Sequence, residues 1–188
     1  MSNFVFNKCD IDGLYIIDAK VFGDERGYNM ETYHSKDFKA AGLDMVFVQD
    51  NQSLSKKGVL RGMHFQKEHP QGKLVRVLKG DVFDVAVDLR KDSKTYGKWH
   101  GVVLSDENKK MFYVPEGFAH GFLVLSEEAV FAYKCTDFYH PEDEGGILWN
   151  DAEIGIEWPI DDNMQLTLSE KDKKHPTFQQ NRFTFESR

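Results

Sequence analysis

KLVRVLKGDVFDVAVDLR, residues 73–90, decides the class of fold. In its second half Phe83, Val85, Val87 and Leu89 alternate with Val82, Asp84, Ala86 and Asp88, and a period of two marks a strand whose faces meet different surroundings. Lys79, Gly80 and Asp81 supply a turn, so the stretch reads as a strand pair. One face of the second strand is wholly apolar. The other mixes apolar residues with two aspartates, a pattern that suits either solvent or the wall of a polar cavity inside a barrel.

Working outward, similar runs bounded by turn residues recur: LYIIDAKVF (14–22), MVFVQDN (45–51), WHGVVLS (99–105), KMFYVPEG (110–117), HGFLVLS (120–126) and AVFAYKCTDFY (129–139). Many short strands and little helical periodicity predict an all-β sandwich or barrel. Two short helical segments flank it. SKDFKAAGL (35–43) has a capping serine and a terminating glycine, and LSEKDKKHPTF (168–178) has Ser169 before acids and lysines and Pro176 as a stop. No repeat, low-complexity run or linker divides the chain, so 1–188 is read as a single domain.

Composition narrows the function classes. Acids outnumber bases 31 to 24, giving a net charge of −7, so no nucleic-acid surface is expected. No stretch approaches the roughly 20 apolar residues of a membrane span, and the N-terminal MSNFVFNKCDIDG lacks a secretory pattern. Cys9 and Cys135 sit far apart in no metal-binding or redox spacing, which suits free thiols in a reducing compartment. The expected location is the cytoplasm.

GVLRGMHFQ (58–66) carries the densest polarity in an apolar run, with Arg61, His64 and Gln66 within six residues. A core strand does not bury such groups without partners, so a cavity wall is the better reading. Three roles compete for His64: a satisfied strand residue, a metal ligand and a general base. GMHFQKEH (62–69) followed about fifty residues later by PEGFAH (115–120) has the layout of a small double-stranded β-helix, the cupin jelly roll. Metal-binding members would show His-x-His where this chain has His64-Phe65-Gln66, and Val124 stands where a further polar group would often appear. A neutral amide in place of an imidazole disfavours a metal. As a base, His64 needs a carboxylate to fix its tautomer. Spacing alone does not choose among Asp84, Glu144 and Asp172.

The segments GDERGYNMETY (23–33), FVQDNQSLSKKGVLRGMHFQ (47–66), QGKLVRVLKGDVFDVAVDLRKDSKTYGKW (71–99), VPEGFAHGFLVLSE (114–127) and LSEKD (168–172), in that order, strongly resemble the dTDP-4-dehydrorhamnose 3,5-epimerase family. The resemblance implies a cupin-like jelly roll, a homodimer, no metal and no cofactor, and inversion of the two carbons flanking the ketone of a dTDP-4-keto-6-deoxyhexose. It implies His64 as base paired with Asp172, Tyr133 of FAYKCTDFYH as proton donor with Tyr139 as a second ring in reach, and Lys73 beside the sugar ketone. Arg61 suits the diphosphate, since a guanidinium engages phosphate oxygens with two parallel hydrogen bonds. The resemblance adds Arg26, Glu31, Gln49, Asp50, Asn51, Gln66, His120, Glu144 and Lys171 as substrate contacts, with Arg26 and Glu31 reaching a partner subunit's site. It parses the chain into N-terminal strands serving the dimer (1–50), a jelly-roll core (51–140) and a C-terminal segment with the dyad aspartate (141–188). Taken singly, most of these residues read as solvated charges or packing rings. Three rivals remain: an epimerase acting at C3 or C5 alone, a metal-dependent cupin oxygenase using His64, Gln66 and His120, and a sugar-binding module without catalysis.

Overall fold

A computed structural model describes residues 2–186. Its first strands are β1 (Phe4–Lys8) and β2 (Tyr15–Ala19), then the hairpin β3 (Val21–Asp24) and β4 (Gly27–Met30) and the helix α1 (Ser35–Ala40). There follow β5 (Gln49–Lys56), β6 (Leu60–Gln66), β7 (Lys73–Lys79), β8 (Asp81–Asp88), β9 (Trp99–Ser105), β10 (Met111–Val114), β11 (Phe118–Val124), β12 (Glu128–Cys135) and β13 (Glu144–Gly146). Two antiparallel sheets form, one in the order β1-β2-β10-β7-β12-β5 and the other β13-β6-β11-β8-β9, while β3 and β4 pair only with each other. This is the expected all-β, cupin-like jelly roll. Among the described residues no helix is long and apolar enough to cross a membrane.

The stretch 73–90 forms two strands, but not a pair. β7 hydrogen-bonds to β10 and β12, and β8 to β9 and β11, so Gly80 carries the chain across from one sheet to the other. Its φ of 78° lies in the region that favours glycine. A Cβ there would collide with the Glu128 carbonyl and the Ser126 hydroxyl. The crossing follows from burial. Val82 and Ala86 of β8 join Val75, Val77, Phe122 and Phe131 in the core between the sheets. Val85, Val87 and Leu89 pack outward beneath Ile147, Ile154 and Trp158 of the C-terminal segment, with Phe83 at their edge. A strand apolar on both faces is best covered in the middle of a sheet, with layers above and below.

Local details differ from the sequence reading. Residues 45–48 are irregular, and the strand beginning there starts at Gln49 and runs on to Lys56. The helix over 35–40 is capped by His34, whose Nδ1 accepts the Asp37 N–H at 3.4 Å, and Ser35 is its first residue. The C-terminal element is a single 3₁₀ turn, Asp172–Lys174, started by Ser169 Oγ accepting the Asp172 N–H at 3.1 Å. Cys9 and Cys135 are free thiols, and burial pushes each up to about 11.

Candidate active site

The interior between the sheets is apolar at one end and polar at the other, along the same strands. Inward residues run from Val77 and Val75 to Lys73 on β7, from Ala129 and Phe131 to Tyr133 on β12, and from Val124 and Phe122 to His120 on β11. Asp84 is the polar residue between Val82 and Ala86 on β8. The mixed face of β8 therefore points into the interior without lining the open cavity: Asp84 is buried against His120, and Asp88 is held by Arg90, Ser93 and Thr95. The polar end opens into two adjoining lobes of about 290 and 230 Å³, which share His64, Lys73, Tyr133, Tyr139 and Glu144.

His64 is aimed by an irregular contact between β6 and β11. The register breaks between His120 and Phe122, where Gly62 and Gly121 bring the backbones so close that a Cβ on Gly62 would stand 2.6 Å from the Gly121 Cα. Met63 and Phe65 then face the outer layer while His64 faces the cavity. Its Nε2 lies 2.7 Å from Asp172 Oδ1, and Gly62 N–H reaches Asp172 Oδ2 at 3.5 Å. Burial alone would raise the Asp172 carboxyl. The nearby His175 ring, the hydrogen bond and charge of His64 and the Gly62 N–H outweigh it, and hold the group well below the usual carboxylate range. An ionised carboxylate only accepts, so the neutral His64 ring carries its proton on Nε2 and its lone pair on Nδ1.

Each of the three acids that spacing left open has its own partner. Asp172 holds His64. Asp84, fully buried, meets His120 Nε2 at 2.8 Å, and its other oxygen has no protein partner. Burial pushes this carboxyl up, opposed by His120 and Lys73. Glu144 accepts the Tyr139 hydroxyl at 2.7 Å and pairs with Lys171 at 2.5 Å, while its Oε1 lies 3.9 Å from His64 Nε2. Burial raises the Glu144 carboxyl, and the bonds from Lys171 and Tyr139 together with the His64 charge bring it below its ordinary value. The bond to Glu144, with burial, pushes Tyr139 up to about 12. Burial also raises Tyr133, partly offset by a bond to Asn51.

Lys73 stands against the cavity wall with Nζ 5.9 Å from the Tyr133 ring centre. Burial lowers its pKa, opposed by Cys135, Glu144 and Asp84, so its ammonium gives up a proton, or a strong hydrogen bond, more readily than a solvated lysine. Arg61 lines the wider lobe, held through Nε by Ser55 Oγ at 3.2 Å. Gln49 and Asn51 line the other lobe and bond to each other at 3.1 Å.

Some expected contacts lie elsewhere. Asp50, between Gln49 and Asn51, projects to the opposite face of β5 and pairs with Lys134 at 2.9 Å, as alternation along a strand requires. Asp50 is not brought to the cavity. Gln66 borders a lobe, yet its amide donates to the His69 and Phe138 carbonyls and accepts the His140 N–H, clasping two loops together. Arg26 and Glu31 are remote from both lobes: Arg26 is bound to Asp24 at 2.6 Å and Glu31 accepts from Asn3 at 2.9 Å. One group was missed. His175, whose Nε2 is 3.6 Å from Asp172 Oδ1, joins His64 and Asp172 in a set whose ligand atoms lie within 4.8 Å of one another, a spacing able to take a metal ion. His175 adjoins the LSEKD motif, and only its nearness to Asp172 in sequence could have flagged it.

Proton-transfer groups gathered at one end of a cupin-like jelly roll belong to an isomerase. The family can be stated more closely. A family model described as dTDP-4-dehydrorhamnose 3,5-epimerase matches residues 8–180, and the chain belongs to that family. A relative of that name from Methanothermobacter thermautotrophicus is 56% identical over 96% of this chain and 98% of its own. The crystal structure of the Legionella pneumophila dTDP-6-deoxy-D-glucose-3,5-epimerase, in complex with dTDP-4-keto-L-rhamnose, is similar with a TM-score of 0.90 and 51% identity, covering 93% of this chain and 92% of that one. More distant is a 3′-monoepimerase from Streptomyces bikiniensis in complex with dTDP-quinovose, with a TM-score of 0.86 and 32% identity over 92% of this chain and 87% of that one.

Proposed function

We propose that this enzyme inverts C3 and C5 of dTDP-4-dehydro-6-deoxy-D-glucose to give dTDP-4-dehydro-L-rhamnose, with His64 as the base. The observation that carries the reading is the His64–Asp172 pair at 2.7 Å, facing a cavity that also holds Lys73 and Tyr133. A carbon next to a ketone loses its proton to Nδ1 of His64, and Asp172 stabilises the imidazolium that forms. The electron pair moves onto the ketone oxygen, where Lys73 meets the developing negative charge. Tyr133, kept protonated by burial, returns a proton on the opposite face. Two carbons flank one ketone, so the same set serves both in turn, once His64 has released its proton to solvent and Tyr133 has regained one from it.

Arg61 takes the diphosphate, and Gln49, Asn51, His120, Glu144 and Lys171 border the sugar and its linkage. Asp50, Arg26 and Glu31 would contact substrate only through a second subunit, and we assign the enzyme a homodimeric form with shared sites. Its reaction needs no added metal or cofactor, and its place is the cytoplasm.

Solvent deuterium should enter both C3 and C5 of dTDP-4-keto-6-deoxyglucose in the presence of chelator, and His64→Gln should slow both exchanges about 10²- to 10⁴-fold. Exchange at the wild-type rate in that variant would remove His64 as the base, and loss of exchange with chelator would favour a metal enzyme instead. A single-carbon reading is kept in view by the likeness to a monoepimerase, because shared fold does not fix which carbon reacts. Deuterium confined to C3 would select it, and tight binding with no exchange would leave a binding module.

A further inference from the structure

Tyr139 borders both lobes but has no step in the chemistry above. It lies on the loop between β12 and β13 and is 51% exposed, so packing does not fix where its ring stands. Hydrogen bonds do. The peptide before it is held at both ends: the Phe138 carbonyl accepts from Gln66 Nε2 at 3.0 Å, and the Tyr139 N–H donates to Gln49 Oε1 at 3.0 Å. The peptide after it is held by the His140 N–H, which donates to Gln66 Oε1 at 2.8 Å. Peptide groups are planar, so pinning the planes on both sides of one residue sets its φ and ψ. The hydroxyl is fixed in turn by Glu144 at 2.7 Å.

Gln66 is buried, and both N–H bonds of its amide are used, since Nε2 also donates to the His69 carbonyl at 2.6 Å. It follows His64 by two positions on β6 and stands where a metal-binding pattern would place a second imidazole. Tying the loop 67–71 to the loop 136–143 does not by itself need this residue. The Asp143 carboxylate accepts the Glu68 and His69 N–H groups at 3.0 and 2.8 Å, Gln71 donates to the Asp137 carbonyl at 2.8 Å, and the His69 and His140 rings stack 4.2 Å apart. What Gln66 adds is a grip on both peptides that flank Tyr139, which none of those ties touches.

We infer that Gln66 is a positioning residue for the substrate-binding wall, acting through Tyr139, with Gln49 as its partner in the clasp. The inference rests on the reading of this cavity as the substrate site. Gln49 also donates to Asn51, which bonds to Tyr133, so a chain of amides joins the two tyrosines that face the cavity. A tyrosine set in place before substrate arrives loses little freedom on binding, because its backbone is fixed and its hydroxyl is already tied. Releasing that backbone lets the ring wander. The loss then falls on binding and not on proton transfer, since His64 and Tyr133 stay on their own strands, and a loss of that kind raises KM while kcat holds.

The test is a double-mutant cycle of Gln66→Met, which keeps the length of the side chain and removes its amide, with Tyr139→Ala, read as kcat and KM for dTDP-4-keto-6-deoxyglucose. Gln66→Met should raise KM about tenfold with kcat within about threefold of wild type. In the double variant KM should be no higher than in Tyr139→Ala alone. A wild-type KM in Gln66→Met, effects that multiply in the double variant, or a kcat that falls as far as kcat/KM would each overturn the inference. Amide hydrogen exchange without substrate gives a reading independent of turnover: in Gln66→Met the Tyr139 and His140 amides should exchange about tenfold faster or more, while those of Glu68 and His69, held by Asp143, keep their wild-type rates. Unchanged exchange at Tyr139, or equal loss of protection at all four, also counts against it. If the methionine variant does not fold, Gln66→Glu takes its place, keeping the acceptor for His140 and setting an oxygen against the Phe138 and His69 carbonyls. Failure of the base assignment appears separately, as substrate deuterium exchange that persists in His64→Gln while the cycle stands.

Discussion

At the scale of single residues, the dyad turns on the charge of Asp172. Its carboxyl is held low because His175, His64 and the Gly62 N–H together outweigh burial. A group depressed in this way adds stability above its unfolded value near 3.9, and loses it as pH falls through the folded value. Asp172→Asn should therefore lower Tm most near neutrality, with the gap to wild type closing below about pH 4 in a series of melts. The same change lets the amide donate toward His64 and upsets its tautomer, so kcat should fall about 10³- to 10⁴-fold. Tyr133→Phe tests the other face. Proton removal survives there but return on the opposite side does not, so deuterium should accumulate in uninverted substrate while product formation drops about 10²-fold. Of these groups, His64 stood out in sequence because polar residues crowd an apolar run. Asp172 lies 108 residues away, and without the family resemblance nothing in spacing separated it from Asp84 or Glu144.

At the scale of elements, periodicity showed that β8 is a strand but not which strands it joins. Alternation fixes the faces of one strand; the partners depend on what covers those faces, and here the cover comes from the distant segment 147–158 and from the opposite sheet. β13 was illegible for a related reason: Glu144-Gly145-Gly146 has little intrinsic strand preference and is extended because it pairs with β6. The turn at Gly80 was legible as a turn, and its true duty as a crossing between sheets makes it less tolerant than a surface hairpin. Gly80→Ala forces a side chain into a left-handed conformation against the Glu128 carbonyl and the Ser126 hydroxyl. The cost should be about 2–4 kcal/mol, seen calorimetrically as a fall in Tm of about 5–15 °C.

At the scale of the whole molecule, the β3–β4 hairpin is the feature that a lone protomer does not explain. It pairs with neither sheet, and Phe22 and Tyr28 are 47% and 60% exposed. A two-stranded ribbon is marginal in water unless something packs on it, and among the described residues Arg26 at its tip pairs only with Asp24. If a second subunit receives this hairpin, Arg26 completes the partner's cavity and not its own, and subunit mixing reveals it. Arg26→Ala and His64→Gln homodimers should each be impaired, the first mainly in KM. After mixing and exchange, heterodimers would contain one site with both defects and one with neither, so roughly a quarter of all sites should regain wild-type KM and kcat. Arg26 acting within its own subunit would leave no intact site in any combination. Activity that stays at the average of the two parent variants would then place the arginine outside the partner's cavity, with light scattering of Phe22→Asp left to report whether the hairpin holds the subunits together at all.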